Sequence, residues 1–343
     1  MEPRSLKYLA DACGGELRNG SPLRLATNIC TDSRKAGPGD LFFALSGERF
    51  DAHKFLPEVA KTGVIAVVAE RQKIPADFIT TVIAVDTTRV ALGNLAARYR
   101  RDFDLPIIAV GGSNGKTTTK ELLASVLRQK FKTLSSEASF NNDVGVPITL
   151  LKLNSEHQVA VLEVGTNHPG ELTPLLQLIR PGLGVITNIG REHLEFFGDL
   201  AGVAQEEGGL AEILPTEGTL FVNGDSEWVE PMMQRSRAKV VRVGLNEKNE
   251  CSARDIKFDE NGVTFLVKTL RADLGGEYRI KLLGRHQVLN ALLAIAVAGE
   301  LGLNRAEIQR GLAECEPAKM RLQLSTANGI QILDDSYNAN ADS

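Results

Sequence analysis

Cysteine is scarce, with four in 343 residues, and Cys13, Cys30, Cys251 and Cys315 lie far apart with no CxxC pair. That spacing suggests neither a zinc knuckle nor a disulfide framework and fits a reducing compartment. No charge of one sign dominates: 39 Lys+Arg stand against 43 Asp+Glu, without long runs, for a formal charge of −4. No basic stripe is offered to a nucleic-acid backbone, so any anionic ligand must be held locally. Long apolar runs are also missing. The most apolar stretch, Ala291–Gly299, falls well short of the roughly 20 residues needed to span a bilayer, and the opening MEPRSLKYLADACGG has no signal-peptide core. A cytoplasmic protein with no membrane insertion is expected.

What remains is an ordinary globular composition, 43% hydrophobic and 24% charged with 32 Gly and 13 Pro, which excludes disorder, collagen and coiled coil. At roughly 100–200 residues per domain the length implies two or three domains. No internal repeat or low-complexity tract is evident. Helices are expected at 5–13, near 53–61 and at 87–101, with strands at Asp40–Leu45, Val64–Ala69 and Thr81–Val85, together a small α/β unit. A boundary is placed near residue 102. Beyond it, strand and helix alternate: 107–110 then 116–130, 159–164 then 171–179, 184–189 then 200–213, with further strands near 219–223 and 239–243. That order predicts a doubly wound parallel sheet. Segments 251–257, 263–269 and 278–283 read as antiparallel strands, followed by helices at 287–301 and 305–313. A hairpin is expected around Asn328-Gly329.

The strongest local signal follows strand 107–110. Gly111-Gly112-Ser113-Asn114-Gly115-Lys116-Thr117-Thr118-Thr119 runs straight into a helix. Amides freed by the glycines, with the positive end of that helix, can surround a polyphosphate. Lys116 would touch the terminal phosphates, and the Thr117 hydroxyl would sit where Mg²⁺ binds. The longer GxxxxGK pattern is not met, because its first glycine falls on Val110; the loop is the shorter GxxGKT form. Glu163 lies at the carboxyl end of predicted strand 159–164, and His193 follows predicted strand 184–189. In an open α/β sheet the ligand crevice lies outside such strand ends, so a carboxylate and an imidazole could reach a divalent metal beside the loop. Each has a plainer alternative, since Glu163 could cap the following helix and His193 could be a satisfied buried histidine.

These residues stand within a wider set of motifs: GGSNGKTTTK (111–120), FNNDVGVPITLL (140–151), EVGTN (163–167), TNIGREHLEFFG (187–198), GRHQVLNALLA (284–294) and LDDSYNANADS (333–343). Together they resemble the Mur ligases of peptidoglycan synthesis, and TDSRKAGPGDLFFALSGERFDAHKF (31–55) is similar to their UDP-sugar-binding N-terminal domain. DSYNAN points to the members that add D-alanyl-D-alanine to UDP-N-acetylmuramoyl tripeptide rather than to the tripeptide-forming relatives.

The resemblance implies an N-terminal UDP-muramoyl-peptide-binding domain over 1–102, a central ATP-binding domain of the doubly wound P-loop type over 103–317, and a hinge with the start of a third, Rossmann-like domain over 318–343. With that third domain incomplete, the chain alone is expected to have little or no ligase activity. It also implies chemistry in which the tripeptide carboxylate attacks the γ-phosphate of ATP and the D-alanyl-D-alanine amine displaces the resulting acyl phosphate. Gly112, Ser113, Asn114, Gly115, Lys116, Thr117 and Thr118 would bind ATP, with Asn290 at the adenine, Arg321 at the phosphates and Asp335 at the ribose. Thr117, Glu163 and His193 would meet Mg²⁺, while Ser33, Arg34, Asn141 and Asn142 would hold the UDP-muramoyl peptide. A monomer is expected.

Two departures stand out. Gln287 replaces the usual Asn of GRHQVLN. The helix after the histidine motif lacks the lysine, often carbamylated, that the family carries there and reads Ala204-Gln205-Glu206-Glu207-Gly208-Gly209. Glu207 is a candidate direct replacement for the carbamate, although its carboxyl carbon lies roughly 3–4 Å closer to the backbone; it could equally be a solvated helix charge. Glu206, about 100° around the helix, should matter much less. Competing readings are a non-catalytic nucleotide- and UDP-sugar-binding remnant, the tripeptide-forming Mur ligase, and an unrelated P-loop kinase or ATPase. The third residue of the peptide, diaminopimelate or lysine, is not legible.

Overall fold

The computed structural model describes residues 1–343 except 48–49, 261, 328 and 339–343. Part of the expected hairpin turn, Asn328, and the last five residues of LDDSYNANADS therefore lie outside the described residues. The chain divides into two compact units, Met1–Asp104 with Asp143–Ser155, and Leu105–Asn142 with Glu156–Ser343.

The first unit begins with α1 (Leu6–Cys13), started by Ser5, whose hydroxyl accepts the Tyr8 N–H, and stopped by Gly14 in the left-handed conformation. Its sheet contains β1 (Glu16–Arg18), β2 (Asn28–Cys30), β3 (Asp40–Phe43), β4 (Ala66–Glu70) and β5 (Val82–Val85) in the order β1-β5-β4-β3-β2. Strands β2 to β5 run parallel and β1 antiparallel. Leu41, Phe42 and Phe43 of β3 are all buried, as are Val67 and Val68 of β4, which fits a sheet covered on both faces. The helices α2 (Leu56–Ala60) and α3 (Thr88–Arg100) also belong here. The short edge strand β1 and β2 were not foreseen, since runs of three residues give period-2 alternation little to register.

The second unit is built on a nine-stranded sheet. In chain order its elements are β6 (Ile107–Gly111), α4 (Lys116–Leu127), β7 (Thr133–Ser135), β8 (Val159–Glu163), α6 (Leu172–Ile179), β9 (Leu183–Ile186), α7 (Leu194–Phe197), α8 (Leu200–Glu207), α9 (Gly209–Ile213), β10 (Thr219–Asn223), α10 (Val229–Arg235) and β11 (Lys239–Gly244). There follow β12 (Cys251–Asp259), β13 (Gly262–Thr269), β14 (Gly276–Ile280), α11 (His286–Glu300), α12 (Arg305–Glu314) and the hairpin β15 (Gln323–Ala327) and β16 (Ile330–Asp334). Helix α5 (Gly145–Leu150) lies in the segment assigned to the first unit. The order across the sheet is β14-β13-β12-β11-β10-β9-β6-β8-β7, parallel from β7 to β12 and antiparallel beyond.

Strand β6 is flanked by β8 on one side and β9 on the other. The winding reverses there, so the crevice at its carboxyl end is where such a sheet takes a ligand. Helix α11 backs the sheet with Val288, Ala291, Leu292, Ala294, Ile295 and Ala298, none of them exposed.

The helix expected over 200–213 is two helices, α8 and α9, meeting at Gly208. The Arg235 guanidinium causes the break to hold, donating to the carbonyls of Ala204 at 3.0 Å and Gln205 at 2.9 Å, and a side chain at Gly208 would strike it. The strand expected to reach 189 stops at Ile186, because the backbone and side chains of 187–190 turn aside to bond the loop after β6. No helix among the described residues is long and apolar enough to cross a membrane.

Candidate active site

The loop between β6 and α4 is fixed by the segment that follows β9. Thr187 Oγ1 donates to the Asn114 carbonyl at 2.6 Å and to the Gly111 carbonyl at 3.1 Å. The Ser113 N–H donates to the Asn188 carbonyl at 2.9 Å, and the Asn114 N–H to Asn188 Oδ1 at 2.7 Å. Ser113 Oγ accepts the Gly190 N–H at 2.8 Å and donates back to the Gly190 carbonyl. Gly112 has φ +107, and a Cβ there would press on the Asn188 carbonyl at 2.9 Å; only glycine suits it. Gly115, at φ +84, caps α4. The first-turn amides of α4, which a helix cannot satisfy internally, thus face a loop already held in shape.

Lys116 folds back over this loop. Its Nζ donates to the Gly112 carbonyl at 2.6 Å and the Ser113 carbonyl at 3.2 Å and pairs with Glu192 at 3.4 Å. Thr117 is buried, its hydroxyl 3.4 Å from that of Ser139; Thr118 is half-buried. Glu163, 1% exposed, accepts Asn141 Nδ2 on Oε1 at 2.9 Å. Its Oε2 is buried without a partner, as are Oε1 of Glu192 and Oε1 of Glu207. A buried, unpaired carboxylate oxygen is costly unless a cation meets it, so Glu163 Oε2 and the Thr117 hydroxyl fit a hard divalent ion that takes its other ligands from water and phosphate. Among the described residues no three His, Cys, Asp or Glu side chains converge as a ligand group. His193 is half-buried at the start of α7 with φ +47.

Glu207 is not a solvated helix charge: it is fully buried, and its Oε2 accepts the Gly112 N–H at 2.7 Å. Burial pushes its carboxyl up to about 7, opposed by the nearby Lys116 ammonium and reinforced by Glu192. Glu206 is no idle neighbour either. Its carboxylate accepts the N–H groups of Gly170 and Leu172, both at 2.8 Å, at the start of α6.

Asn290 lies against the loop. Its Oδ1 accepts Thr119 Oγ1 at 3.2 Å, and its Nδ2 donates to Gln287 at 2.8 Å, so the longer amide of Gln287 is spent on Asn290. A Cβ on Gly115 would meet Asn290 Oδ1 at 2.6 Å. Arg321 and Asp335 engage their own segment: the guanidinium lies 4.4 Å from the Tyr337 ring centre, and Asp335 accepts the Leu322 N–H at 3.1 Å. In the first unit Arg34 is exposed and paired with Asp32, with half-buried Ser33 between them. Asn142 is exposed. The structure thus gathers Gly112, Ser113, Asn114, Gly115, Lys116, Glu207 and Asn290 around one loop, with Thr117 and Glu163 joined to it through Ser139 and Asn141. Sequence reasoning assigned no role to Thr187, Asn188, Glu192 or Lys120, although all stand inside the motifs it quoted; a lysine on an otherwise apolar helix face was the available signal for Lys120.

The family model described as Mur ligase middle domain matches residues 110–298, and that described as Mur ligase family, catalytic domain, matches 26–100. A UDP-N-acetylmuramoyl-tripeptide–D-alanyl-D-alanine ligase of Escherichia coli is 38% identical over 99% of this chain and 74% of its own length. The chain belongs to the Mur ligase family. Among solved Mur ligase structures, MurF from Acinetobacter baumannii superposes with a TM-score of 0.92 at 34% identity, over 99% of this chain and 74% of that one. MurF from Thermotoga maritima in complex with ADP superposes at 0.81 with 25% identity, over 92% of this chain and 72% of that one.

Proposed function

We propose that this Mur ligase is the ATP-dependent ligase that joins D-alanyl-D-alanine to UDP-N-acetylmuramoyl tripeptide in peptidoglycan precursor synthesis. The observation that carries the reading is that relatives named for this reaction match both units, end to end, at 38% identity. Residues 1–102 are assigned to the UDP-muramoyl peptide, 103–317 to ATP and 318–343 to a hinge. Ser33 and Arg34 on the first unit, and separately Asn141 and Asn142 on the second, are assigned to the sugar-nucleotide substrate. The activity belongs to the cytoplasm, acts through a monomer and supports cell shape and division.

Phosphoryl transfer asks for alignment and charge neutralisation rather than for a covalent partner. The loop of Gly112, Ser113, Asn114 and Gly115 receives the polyphosphate at the α4 N-terminus. Lys116 leaves its carbonyl partners for the terminal phosphate oxygens and neutralises charge as the γ-phosphoryl passes to the peptide carboxylate. Thr117, Glu163 and His193 hold Mg²⁺, which supplies electrostatic stabilisation of the phosphate oxygens when bound. Glu207 keeps Gly112 in place and supplies a fixed carboxylate where the family uses a carbamate. Asn290 supports the nucleotide from α11, and Arg321 and Asp335 contribute from the hinge. The acyl phosphate is then attacked by the dipeptide amine, giving the amide and inorganic phosphate.

The test is calorimetry of ATP and of UDP-N-acetylmuramoyl tripeptide on this chain, with pentapeptide and ADP formation followed on the full gene product. Stoichiometric binding of both and one ADP per amide support the proposal. ADP formation that ignores the sugar-nucleotide would replace it with an unrelated phosphate-loop activity.

A further inference from the structure

Lys120 lies one turn beyond Lys116 on α4 and is wholly inaccessible to solvent. An ammonium is strongly hydrated, and burying one is unfavourable unless each of its three donors finds an acceptor. Here all three do: Nζ bonds the Glu121 carboxylate, the Ser136 carbonyl at 2.9 Å and the Ala138 carbonyl at 3.0 Å. Packing alone would be served by an apolar residue, as at the neighbouring Leu122, Leu123 and Val126. The cation is therefore retained for what it holds.

It holds a strained loop. Ala138 has φ +46, a left-handed conformation that a Cβ disfavours. Its carbonyl is turned toward Lys120. Before it, Ser136 is stitched to β8, its N–H donating to the Val161 carbonyl and its Oγ accepting the Glu163 N–H, both at 3.1 Å. After it come Ser139, beside the Thr117 hydroxyl, and Asn141, which donates to Glu163 Oε1. The Asn141 carbonyl in turn accepts the Gly165 N–H at 2.9 Å.

We infer that Lys120 is a positioning residue whose buried ammonium holds loop 136–141 in the conformation that sets Thr117 and Glu163 for the cation accompanying ATP. The inference rests on reading the Gly112–Thr117 loop as the ATP site. With its three donors taken by Glu121, Ser136 and Ala138, Lys120 acts through two carbonyls on side chains one and three residues beyond Ala138.

The experiment measures ATP binding by calorimetry in Mg²⁺ titrations and in EDTA, together with melting temperature. Lys120→Met keeps the alkyl stem and removes the cation. It is expected to raise the half-saturating Mg²⁺ concentration several-fold while leaving affinity in EDTA within about twofold of wild type. Ala138→Gly in that background should recover part of the Mg²⁺ response, because glycine takes φ +46 without strain. Ala138 is exposed, so Ala138→Val disturbs the loop without touching the core, and it should raise the Mg²⁺ requirement even with Lys120 intact. Unchanged Mg²⁺ dependence in folded Lys120→Met overturns the proposal. If that variant does not fold, unchanged dependence in Ala138→Val does the same. Failure of the underlying reading looks different: wild type would not bind ATP, or Lys116→Ala would bind it as well as wild type.

Discussion

The carboxylate of Glu207 accepts the backbone N–H of Gly112 at 2.7 Å, tying the end of α8 to the first turn of the phosphate loop. Being fully buried, that carboxyl is raised from its ordinary value of 4.5 to about 7. The sign follows from linkage. Between those two values the folded chain holds a proton that the unfolded chain has released, so stability falls as pH rises from about 4.5 through about 7 and then levels off. Glu207→Gln keeps an acceptor for Gly112 and cannot ionise. Denaturant unfolding from pH 5 to pH 8 should therefore show a shallower decline for the variant than for wild type. Ligation by the full gene product should also be indifferent to added bicarbonate, since no carbamate has to form at this position. A bicarbonate requirement would remove Glu207 from the role proposed for it.

Glu206→Gln should behave in the opposite way. Glu206 caps the start of α6 through Gly170 and Leu172 and is remote in function from the loop its neighbour holds. Turning one acceptor oxygen into a donor leaves a backbone N–H of that cap unmatched, at about 1–2 kcal/mol. Unfolding free energy should drop by that amount at pH 7 while ATP affinity stays within about twofold of wild type.

Lys116→Ala separates binding from folding. The ammonium bonds two loop carbonyls and Glu192, so its removal takes a donor from each of them, with a stability loss of about 1–3 kcal/mol. The variant should still unfold cooperatively. ATP affinity should fall by about 100-fold or more, because the charge opposite the terminal phosphate is gone. Near wild-type affinity would dismiss the assignment of this loop.

How far the sequence reached depended on the length of each signal. Continuous apolar runs such as Ile107–Val110 and Ala291–Gly299 marked long elements that the structure places within a few residues of the expected bounds, and the phosphate loop announced itself through the glycines that precede Lys116. Short elements such as β1 and α7 carry too few residues to show a period. The split at Gly208 was hidden because Arg235, which stabilises it, is distant in the chain. Glu206 and Glu207 show the same limit at the site: adjacent and chemically identical, one caps a helix and the other grips the phosphate loop, and only the packing of α8 decides which. Lys120 looked like one more charge in TTTK until its three acceptors came into view.

Thr187 joins the end of β9 to both sides of the phosphate loop. Its hydroxyl donates at 2.6 Å to the Asn114 carbonyl and at 3.1 Å to the Gly111 carbonyl. Thr187→Val preserves shape and β-branching while deleting the hydroxyl donor; the Gly111 carbonyl keeps the Thr187 N–H at 3.1 Å, so the loss falls on the contact to the Asn114 carbonyl, at about 1 kcal/mol. Part of that loss should appear as loop disorder rather than as global unfolding, because Ser113 and Asn114 remain bonded to Asn188 and Gly190. ATP affinity should then fall about tenfold, with faster amide exchange confined to residues 111–117. A variant that loses stability while binding ATP as tightly as wild type would show that Thr187 supports the sheet end alone and that Asn188 and Gly190 suffice to shape the loop.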